Sequence, residues 1–174
     1  MRKEIGLTLR DGKESDRAAI LNVTLSAFQE YAARMPVHWE DYRKGILSAL
    51  ADVKPAEQIV AEENGIIVGS VLLYPAGTVF SNPNRPILKL PWPEIRLLAV
   101  AAEARGRGIG TALIRECIRR VRRSGASALT LHTSEVMQVA MRMYERMGFA
   151  HVPELDFHPT RDLTVKGYRL QLRD

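Results

Sequence analysis

Apolar residues recur at helical spacing in four stretches of the chain. In the third stretch they return every four positions from Ile109 to Val121, which places them on one face of a helix. Gly148 directly follows the fourth stretch and suits a left-handed C-terminal cap. We therefore predict helices from about Ser15 to Arg34, His38 to Ala51, Gly108 to Arg123 and Ser134 to Met147.

Shorter apolar or alternating runs predict strands, and Asn64-Gly65 joins two of them by a dipeptide typical of a hairpin turn. The proline-rich stretch from Pro83 to Pro93 predicts a loop. The predicted strands are Ile5–Arg10, Gln58–Glu62, Ile66–Tyr74, Glu94–Val100, Ala128–Thr133, Phe149–Val152 and Val165–Leu172. This order of elements predicts an α+β fold with a mixed sheet and no second domain.

The composition is that of a globular protein, with 46% hydrophobic and 26% charged residues in a chain of 174. That length suits one domain, residues 1–174, with one buried core. No apolar run approaches the roughly 20 residues of a membrane span, so we expect no membrane partner. The single cysteine, Cys117, excludes an internal disulfide, and the N-terminus lacks a signal-peptide apolar stretch. We expect a cytoplasmic protein.

Positive charge is concentrated in one segment, although the net charge of the chain is only +5. From Arg105 to Arg123 there are seven arginines and one acid, Glu116. Such a cluster predicts attraction of a polyanionic small ligand or of nucleic acid. For Arg115 to Arg123 a solvated helix face is an equally good explanation.

A glycine loop, Arg105-Gly106-Arg107-Gly108-Ile109-Gly110, begins the third predicted helix. Alternating glycines leave backbone N–H groups uncovered, and the helix N-terminus adds unpaired N–H groups and a positive dipole end. The loop therefore predicts a phosphate or pyrophosphate site. A P-loop is excluded because no lysine follows the glycines. A dinucleotide fingerprint is disfavoured because its glycine spacing differs and five residues lie between Val100, where the strand ends, and Gly106.

Two motifs together resemble the signatures of the GNAT superfamily of N-acetyltransferases. The first is Leu98-Ala99-Val100, followed after four residues by the glycine loop. The second consists of Ala140, Tyr144 and Gly148-Phe149. The order of elements is also similar over nearly the whole chain. The resemblance implies a GNAT fold, with a mixed, mostly antiparallel sheet of six to seven strands, about four flanking helices, and a splay between the fourth and fifth strands.

The resemblance also implies acetyl-CoA as co-substrate, with its pyrophosphate on the N–H groups of the glycine loop. The four histidines of the sequence show no metal-ligand spacing, so we expect no metal. Many members have an asparagine three residues before the alanine of the second signature, where this chain has Met137. Thr133 or Ser134 are the candidates to replace its polar contact. The residues implied in acetyl-CoA binding are Leu98, Ala99, Val100, Arg105, Gly106, Arg107, Gly108, Ile109, Gly110 and Thr111.

Acetyl transfer to an amine calls for a base that frees the amine and an acid that protonates the departing thiolate. Glu94 stands six residues before Val100, which resembles the register of the catalytic glutamate in histone-acetylating members. Apolar neighbours would desolvate its carboxylate and raise its pKa; the alternative is a solvent-facing glutamate paired with an arginine. Tyr144 matches the tyrosine that protonates the thiolate in the family, and its alternative is a core tyrosine. His132 lies in the region of the fifth strand, near the implied cofactor gap. Its two alternatives are a residue that lines the site and a structural histidine, and the structural role is favoured.

The resemblance implies direct attack, in a ternary complex, by a primary amine of a small molecule or peptide. Two other functions stay open: a non-catalytic acyl-CoA-binding sensor or scaffold, and an acetyltransferase of aminoacyl-tRNA. Nucleic acid is disfavoured because no aromatic residues lie among the clustered arginines. A homodimer is expected from the family alone. The candidate acceptor-binding residues are Phe28, Tyr31, Trp39 and Trp92.

Overall fold

The computed structural model describes residues 6–82 and 85–172. Ile5 and Pro83, which open the first predicted strand and the predicted proline-rich loop, lie outside the described residues. The helices are α1 (Arg17–Gln29), α2 (Trp39–Ala51), α3 (Ile109–Arg123) and α4 (Gln138–Arg146).

Two helices differ by more than two residues at one end from their predictions. The first predicted helix stops at Gln29, and a separate 3₁₀ turn covers Ala32–Arg34. The fourth begins at Gln138 rather than Ser134, because Ser134 is the last residue of a strand. Helix ends depend on competing contacts that spacing alone does not reveal.

The main sheet is mixed and mostly antiparallel, which confirms the predicted α+β class. Its strand order is β1-β2-β3-β6-β7-β10-β8, and β9 pairs with β10. The β6–β7 pair is parallel. The strands are β1 (Leu7–Asp11), β2 (Glu57–Glu63), β3 (Ile66–Tyr74), β4 (Val79–Asn82), β5 (Arg85–Lys89), β6 (Glu94–Val100), β7 (Ala128–Ser134), β8 (Ala150–His151), β9 (Phe157–Thr160) and β10 (Leu163–Gln171).

The predicted loop from Pro83 to Pro93 is wrong for Arg85–Lys89, which form strand β5. Strand β5 pairs antiparallel with β4 in a separate two-stranded sheet, where Val79 lies opposite Lys89 and Phe80 opposite Leu88. Strand β9 is also absent from the sequence prediction. Proline is tolerated in edge strands, so a proline-rich composition does not exclude a short hairpin.

The chain divides into two compact units. The first comprises Met1–Leu72 and Leu97–Glu116, and the second Leu73–Arg96 and Cys117–Asp174. The single domain expected from chain length stays a prediction.

In the first unit, Gly69 allows β6 and α3 to pack closely on β3. A Cβ at this position would lie 3.1 Å from the carbonyl oxygen of Ala99 and from Leu113, and 3.3 Å from Ile109. The N–H of Ala101 donates to the carbonyl of Val68 at 2.9 Å. These contacts fix the segment that leads into the glycine loop.

In the second unit, the beginning of β6 is fixed against β7. Glu94 pairs with Thr130, and Ile95 with Leu131. The N–H of Thr130 also donates to the carbonyl of Pro93 at 2.9 Å. The buried side chains of Ile95 and Leu131 anchor this pairing in the core, so the position of Glu94 is set by backbone hydrogen bonds and apolar packing.

Candidate functional site

The backbone of the glycine loop turns through two left-handed residues. Gly106 has φ +71° and Gly108 has φ +79°, a region that residues with a Cβ rarely adopt. A Cβ at either position would meet no atom within 4 Å. The glycines are therefore needed for the direction of the backbone, and the loop surface next to them is open.

The loop leads directly into the N-terminus of α3. Gly108 provides the carbonyl that accepts from Ala112 at 2.9 Å, so the N–H groups of Ile109, Gly110 and Thr111 lie in the first turn, where no preceding helical carbonyl is available. Ile109 points its side chain inward and is 3% exposed. These N–H groups at a positive helix end form a cradle that fits a pyrophosphate.

Both arginines of the loop have a carboxylate partner in the first unit. Arg105 donates to Glu30 at 2.6 Å and to the carbonyl of Val100 at 3.2 Å. Arg107 is paired with Glu63. Each guanidinium has five donors, and an exposed ion pair contributes only about 0–1 kcal/mol, so both arginines retain donors for an anion.

The segment before the loop contains a backbone feature that the sequence does not indicate. Leu97 has φ +51°, in the left-handed region, within strand β6. For a residue with a Cβ this conformation costs about 1–2 kcal/mol, and such strain is concentrated at functional sites. Of the three predicted binding residues that follow, Ala99 is buried, whereas Leu98 and Val100 are half-buried.

Three of the four candidate acceptor residues lie together in the first unit. The ring centroids of Phe28 and Tyr31 are 6.2 Å apart. Trp39 joins this group through Tyr42, whose ring lies 6.4 Å from Trp39 and 5.8 Å from Phe28. Tyr42 was not predicted as part of the site.

The fourth candidate, Trp92, belongs to the second unit. The guanidinium of Arg169 lies 5.0 Å from the centroid of its ring, within cation–π range. The side chain of Trp92 is half-buried, so part of the ring is accessible.

Glu94 is one of the most deeply buried charged residues of the second unit, with 2% exposure. Each oxygen of its carboxylate has a nitrogen partner. Oε1 accepts from Nε of Arg96 at 2.6 Å, and Oε2 lies 3.3 Å from Nδ1 of His132. The arginine pairing anticipated as an alternative is present, but the solvent-facing position is wrong.

The predicted rise in the pKa of Glu94 is also wrong. Burial by itself raises this pKa, but the hydrogen bond with His132 and the charge of Arg96 outweigh it, so the pKa is lowered. Apolar sequence neighbours correctly indicate desolvation. They say nothing about a histidine that approaches from another strand.

His132, which the sequence suggested was structural, contacts Glu94 directly. Its Nε2 lies 2.9 Å from the carbonyl oxygen of Leu155, and its ring centroid lies 5.4 Å from that of Phe157. Burial by itself lowers the pKa of His132, but its hydrogen bond and attraction to Glu94 give a net rise. The only sequence signal was its position on a strand next to that of Glu94.

Tyr144 is held near the C-terminus of α4. It is 7% exposed, and its ring meets the edge of Phe149 at a centroid distance of 5.9 Å. The N–H of Phe149 donates to the carbonyl of Tyr144 at 3.1 Å, across Gly148 with φ +94°. This left-handed cap, which the sequence predicted, fixes the orientation of the tyrosine.

The end of β7 carries two buried hydroxyl groups without a hydrogen-bond partner among the described residues. They belong to Thr133 and Ser134, which are 3% and 5% exposed. Unpartnered buried hydroxyls are uncommon and can bind a polar group of a ligand. Met137, at the asparagine position of the family, is buried as well.

Two cavities lie within the first unit, with volumes of about 330 and 520 Å³. The larger is lined by residues that include Ser15, Asn22, Gly65 and Glu103. Neither is lined by a residue predicted for the site.

Within residues 6–82 and 85–172, no group of three or more His, Cys, Asp or Glu side chains is arranged to hold a metal ion. No helix in this part of the chain has the length and apolar character of a membrane span.

Comparisons with known proteins agree with both signatures. The family model described as Acetyltransferase (GNAT) family matches residues 24–149. N-acetyltransferase family 8 member 3 of Rattus norvegicus is 32% identical over 95 residues, which are 55% of this chain and 39% of the rat protein. Mycothiol acetyltransferase of Propionibacterium freudenreichii is 28% identical over 148 residues, 84% of this chain and 44% of that protein. The chain thus spans less than half the length of these relatives.

The fold has solved counterparts. A GNAT family acetyltransferase from Brucella melitensis, crystallised in complex with acetyl-CoA, superposes with a TM-score of 0.61 at 22% identity. The match covers 98% of this chain and 91% of that one. At this identity the likeness establishes the fold.

Proposed function

The chain belongs to the GNAT acetyltransferase family, and from that premise we propose that it is an N-acetyltransferase that transfers the acetyl group of acetyl-CoA to a primary amine. The acceptor is a small molecule or a peptide. Transfer takes place by direct attack of the amine within a ternary complex.

The glycine loop is the observation that carries this proposal. Gly106 and Gly108 leave open space where side chains would otherwise stand, next to the uncovered first turn of α3. This cradle suits the pyrophosphate of coenzyme A, and Arg105 and Arg107 add positive charge beside it. We assign binding of acetyl-CoA to residues 105–111 and to the strand residues 98–100.

Acetyl-CoA, when bound, supplies the acetyl group as a thioester. Among the chain's own residues, Tyr144 donates the proton that the departing thiolate requires. Glu94 assists removal of the amine proton, directly or through water. Its ionised state supports a role in attracting and orienting the protonated amine or a water molecule.

Phe28, Tyr31, Trp39 and Trp92 are proposed to contact the acceptor. The first three support this role by forming an aromatic cluster together with Tyr42. Cytoplasmic location is part of the proposal, and a sequence whose single cysteine is the buried Cys117 is compatible with it.

Calorimetric titration with acetyl-CoA, followed by thiol-release assays on a panel of amines, tests the proposal. Gly108→Ala should weaken acetyl-CoA binding because its Cβ strains the loop and covers the cradle. Gly125→Ala is the matched control, since Gly125 also has φ +77° and open space around it. Equal loss in both variants would remove the loop assignment. Binding without thiol release from any amine would favour the acyl-CoA sensor.

A further inference from the structure

Arg96 binds the carboxylate of Glu94, and two aromatic rings hold the guanidinium of Arg96 in place. Arg96 donates to Glu94 through Nε at 2.6 Å. Its guanidinium carbon lies 3.8 Å from the ring centroid of Phe80, in β4, and 5.5 Å from that of Tyr74. Stacking on two aromatic rings restricts where this guanidinium can lie.

His132 contacts the other carboxylate oxygen. His132 faces Glu94 with Nδ1 and the carbonyl of Leu155 with Nε2. Leu155 ends a 3₁₀ turn, Pro153–Leu155, and the following strand β9 places Phe157 against the imidazole ring. The ring is thereby fixed between β6 and the segment from Pro153 to Thr160.

The surroundings of His132 require a proton on each ring nitrogen. A carbonyl oxygen can only accept, so Nε2 carries a proton towards Leu155. An ionised carboxylate also only accepts, so Nδ1 carries one towards Glu94. The other charged group acting on the ring is Arg96, on β6; β9 contributes the uncharged Phe157, and β10 pairs Gly167 opposite His132. The cluster therefore contains two cations and one anion.

We propose that Arg96 and His132 are positioning residues of the transfer reaction, which hold Glu94 as an ionised carboxylate of fixed orientation. This inference rests on the proposed function, because it assigns Glu94 a place in the reaction. Two cations each contribute one donor, which leaves carboxylate lone pairs for the ammonium group of an acceptor or for water. The charge state of Glu94 then depends on β4 and on the segment from Pro153 to Thr160, which hold the two cations.

Nuclear magnetic resonance of the protein labelled with ¹⁵N-histidine tests the charge arrangement without any need for catalysis. At pH 7 we expect both nitrogens of His132 to show the chemical shifts of an imidazolium. In Glu94→Gln, which keeps the size of the side chain but removes the anion, His132 should become neutral at the same pH. His132→Gln assigns the signals. A neutral His132 in the unsubstituted protein, or one that is unchanged in Glu94→Gln, would overturn the proposal.

Kinetics test the positioning role. His132→Gln removes a cation from buried Glu94, so the acid limb of the kcat/KM profile should move to higher pH. We also expect kcat to fall about tenfold or more, with acetyl-CoA affinity retained. Arg96→Gln should act in the same direction. His158→Gln is the matched control, because His158 is exposed and bonds only to Thr164 in the described contacts.

These outcomes separate the two proposals. An unchanged pH profile in His132→Gln, with transfer intact, would overturn the positioning role alone. If no amine is acetylated by the unsubstituted protein, the proposed function fails, and the magnetic resonance result still decides whether His132 and Glu94 form the charged pair.

Discussion

The guanidinium of Arg105 lies 2.6 Å from the carboxylate of Glu30, a residue 75 positions earlier in the chain. Glu30 caps the end of α1, and Arg105 begins the glycine loop. Both side chains are about half exposed, at 40% for Arg105 and 46% for Glu30. The loop therefore carries a positive charge that a nearby carboxylate partly neutralises.

Removing this carboxylate should strengthen the binding of acetyl-CoA. In Glu30→Gln the charge of Arg105 acts on the ligand phosphates alone. The free energy of an exposed ion pair corresponds to about a two- to fivefold gain in affinity for acetyl-CoA. Calorimetry at two salt concentrations should also show a steeper salt dependence. Glu40→Gln, which breaks the exposed pair with Arg43 in α2, is the control. Weaker binding in Glu30→Gln would mean that Glu30 orients Arg105 for the ligand.

Loss of the Tyr144 hydroxyl should slow the reaction more than it weakens binding. We expect Tyr144→Phe to reduce kcat about 100-fold, the lower range for a general acid, with acetyl-CoA affinity within about twofold. The ring contact with Phe149 is retained, so the fold should persist. Tyr168→Phe is matched, since the hydroxyl of Tyr168 is bonded to Glu145 and has no assigned role in transfer. Equal turnover in Tyr144→Phe would remove the acid role.

The stability of the protein in acid should depend on Asp16. Its carboxylate accepts from Arg10 at 2.6 and 3.1 Å and from the N–H of Lys13 at 2.8 Å. Chiefly through Arg10, the pKa of Asp16 falls from 3.8 to about 2. A carboxyl group whose pKa is lower in the folded protein than in the unfolded chain stabilises the fold at pH values above its unfolded pKa. That stabilisation is lost as the pH falls through the folded pKa.

Asp16→Asn should accordingly unfold at lower denaturant concentration than the unsubstituted protein near neutral pH. The difference should shrink between about pH 4 and pH 2, where the folded carboxylate becomes protonated. Urea unfolding as a function of pH measures it. A difference that stays constant over this range would contradict the assignment to the charge of Asp16.

Two glycine substitutions should change stability in opposite directions. A Cβ at Gly167 would lie 2.3 Å from Cβ of Leu155, so Gly167→Ala should destabilise by about 1–3 kcal/mol or more. Gly45 is inside α2 with nothing within 4 Å of its would-be Cβ, so Gly45→Ala should stabilise by about 0.5–1 kcal/mol. Denaturant midpoints measure both. A neutral Gly167→Ala would show that Leu155 moves freely, against its fixed contact with His132.

Locally encoded features were predicted best. The hairpin at Asn64-Gly65 is confirmed by φ values of +52° and +80°, and the cap at Gly148 by +94°. A backbone with positive φ favours glycine or asparagine at that one position, so the residue type there is enough to predict the turn or the cap. The helical repeat of α3 was equally clear, because one apolar face recurs over four turns.

Features that depend on partners distant in sequence were missed. Strand β5 exists because β4 pairs with it, and no property of its own residues outweighs the prolines around it. Leu97 adopts a left-handed conformation that leucine does not favour. Only the surrounding structure can impose such a conformation.

The sequence by itself determined the α+β class and the glycine loop, because repeating apolar patterns and residues without a Cβ act over a few positions of chain. The GNAT fold followed from the resemblance of its two motifs to the family signatures. The tertiary structure alone decided the charge state of Glu94. Its pKa depends on His132, which reaches it across the pairing of β6 with β7, and on the stacked guanidinium of Arg96. Electrostatic energies depend on distance and burial in space, and the order of residues along the chain specifies neither.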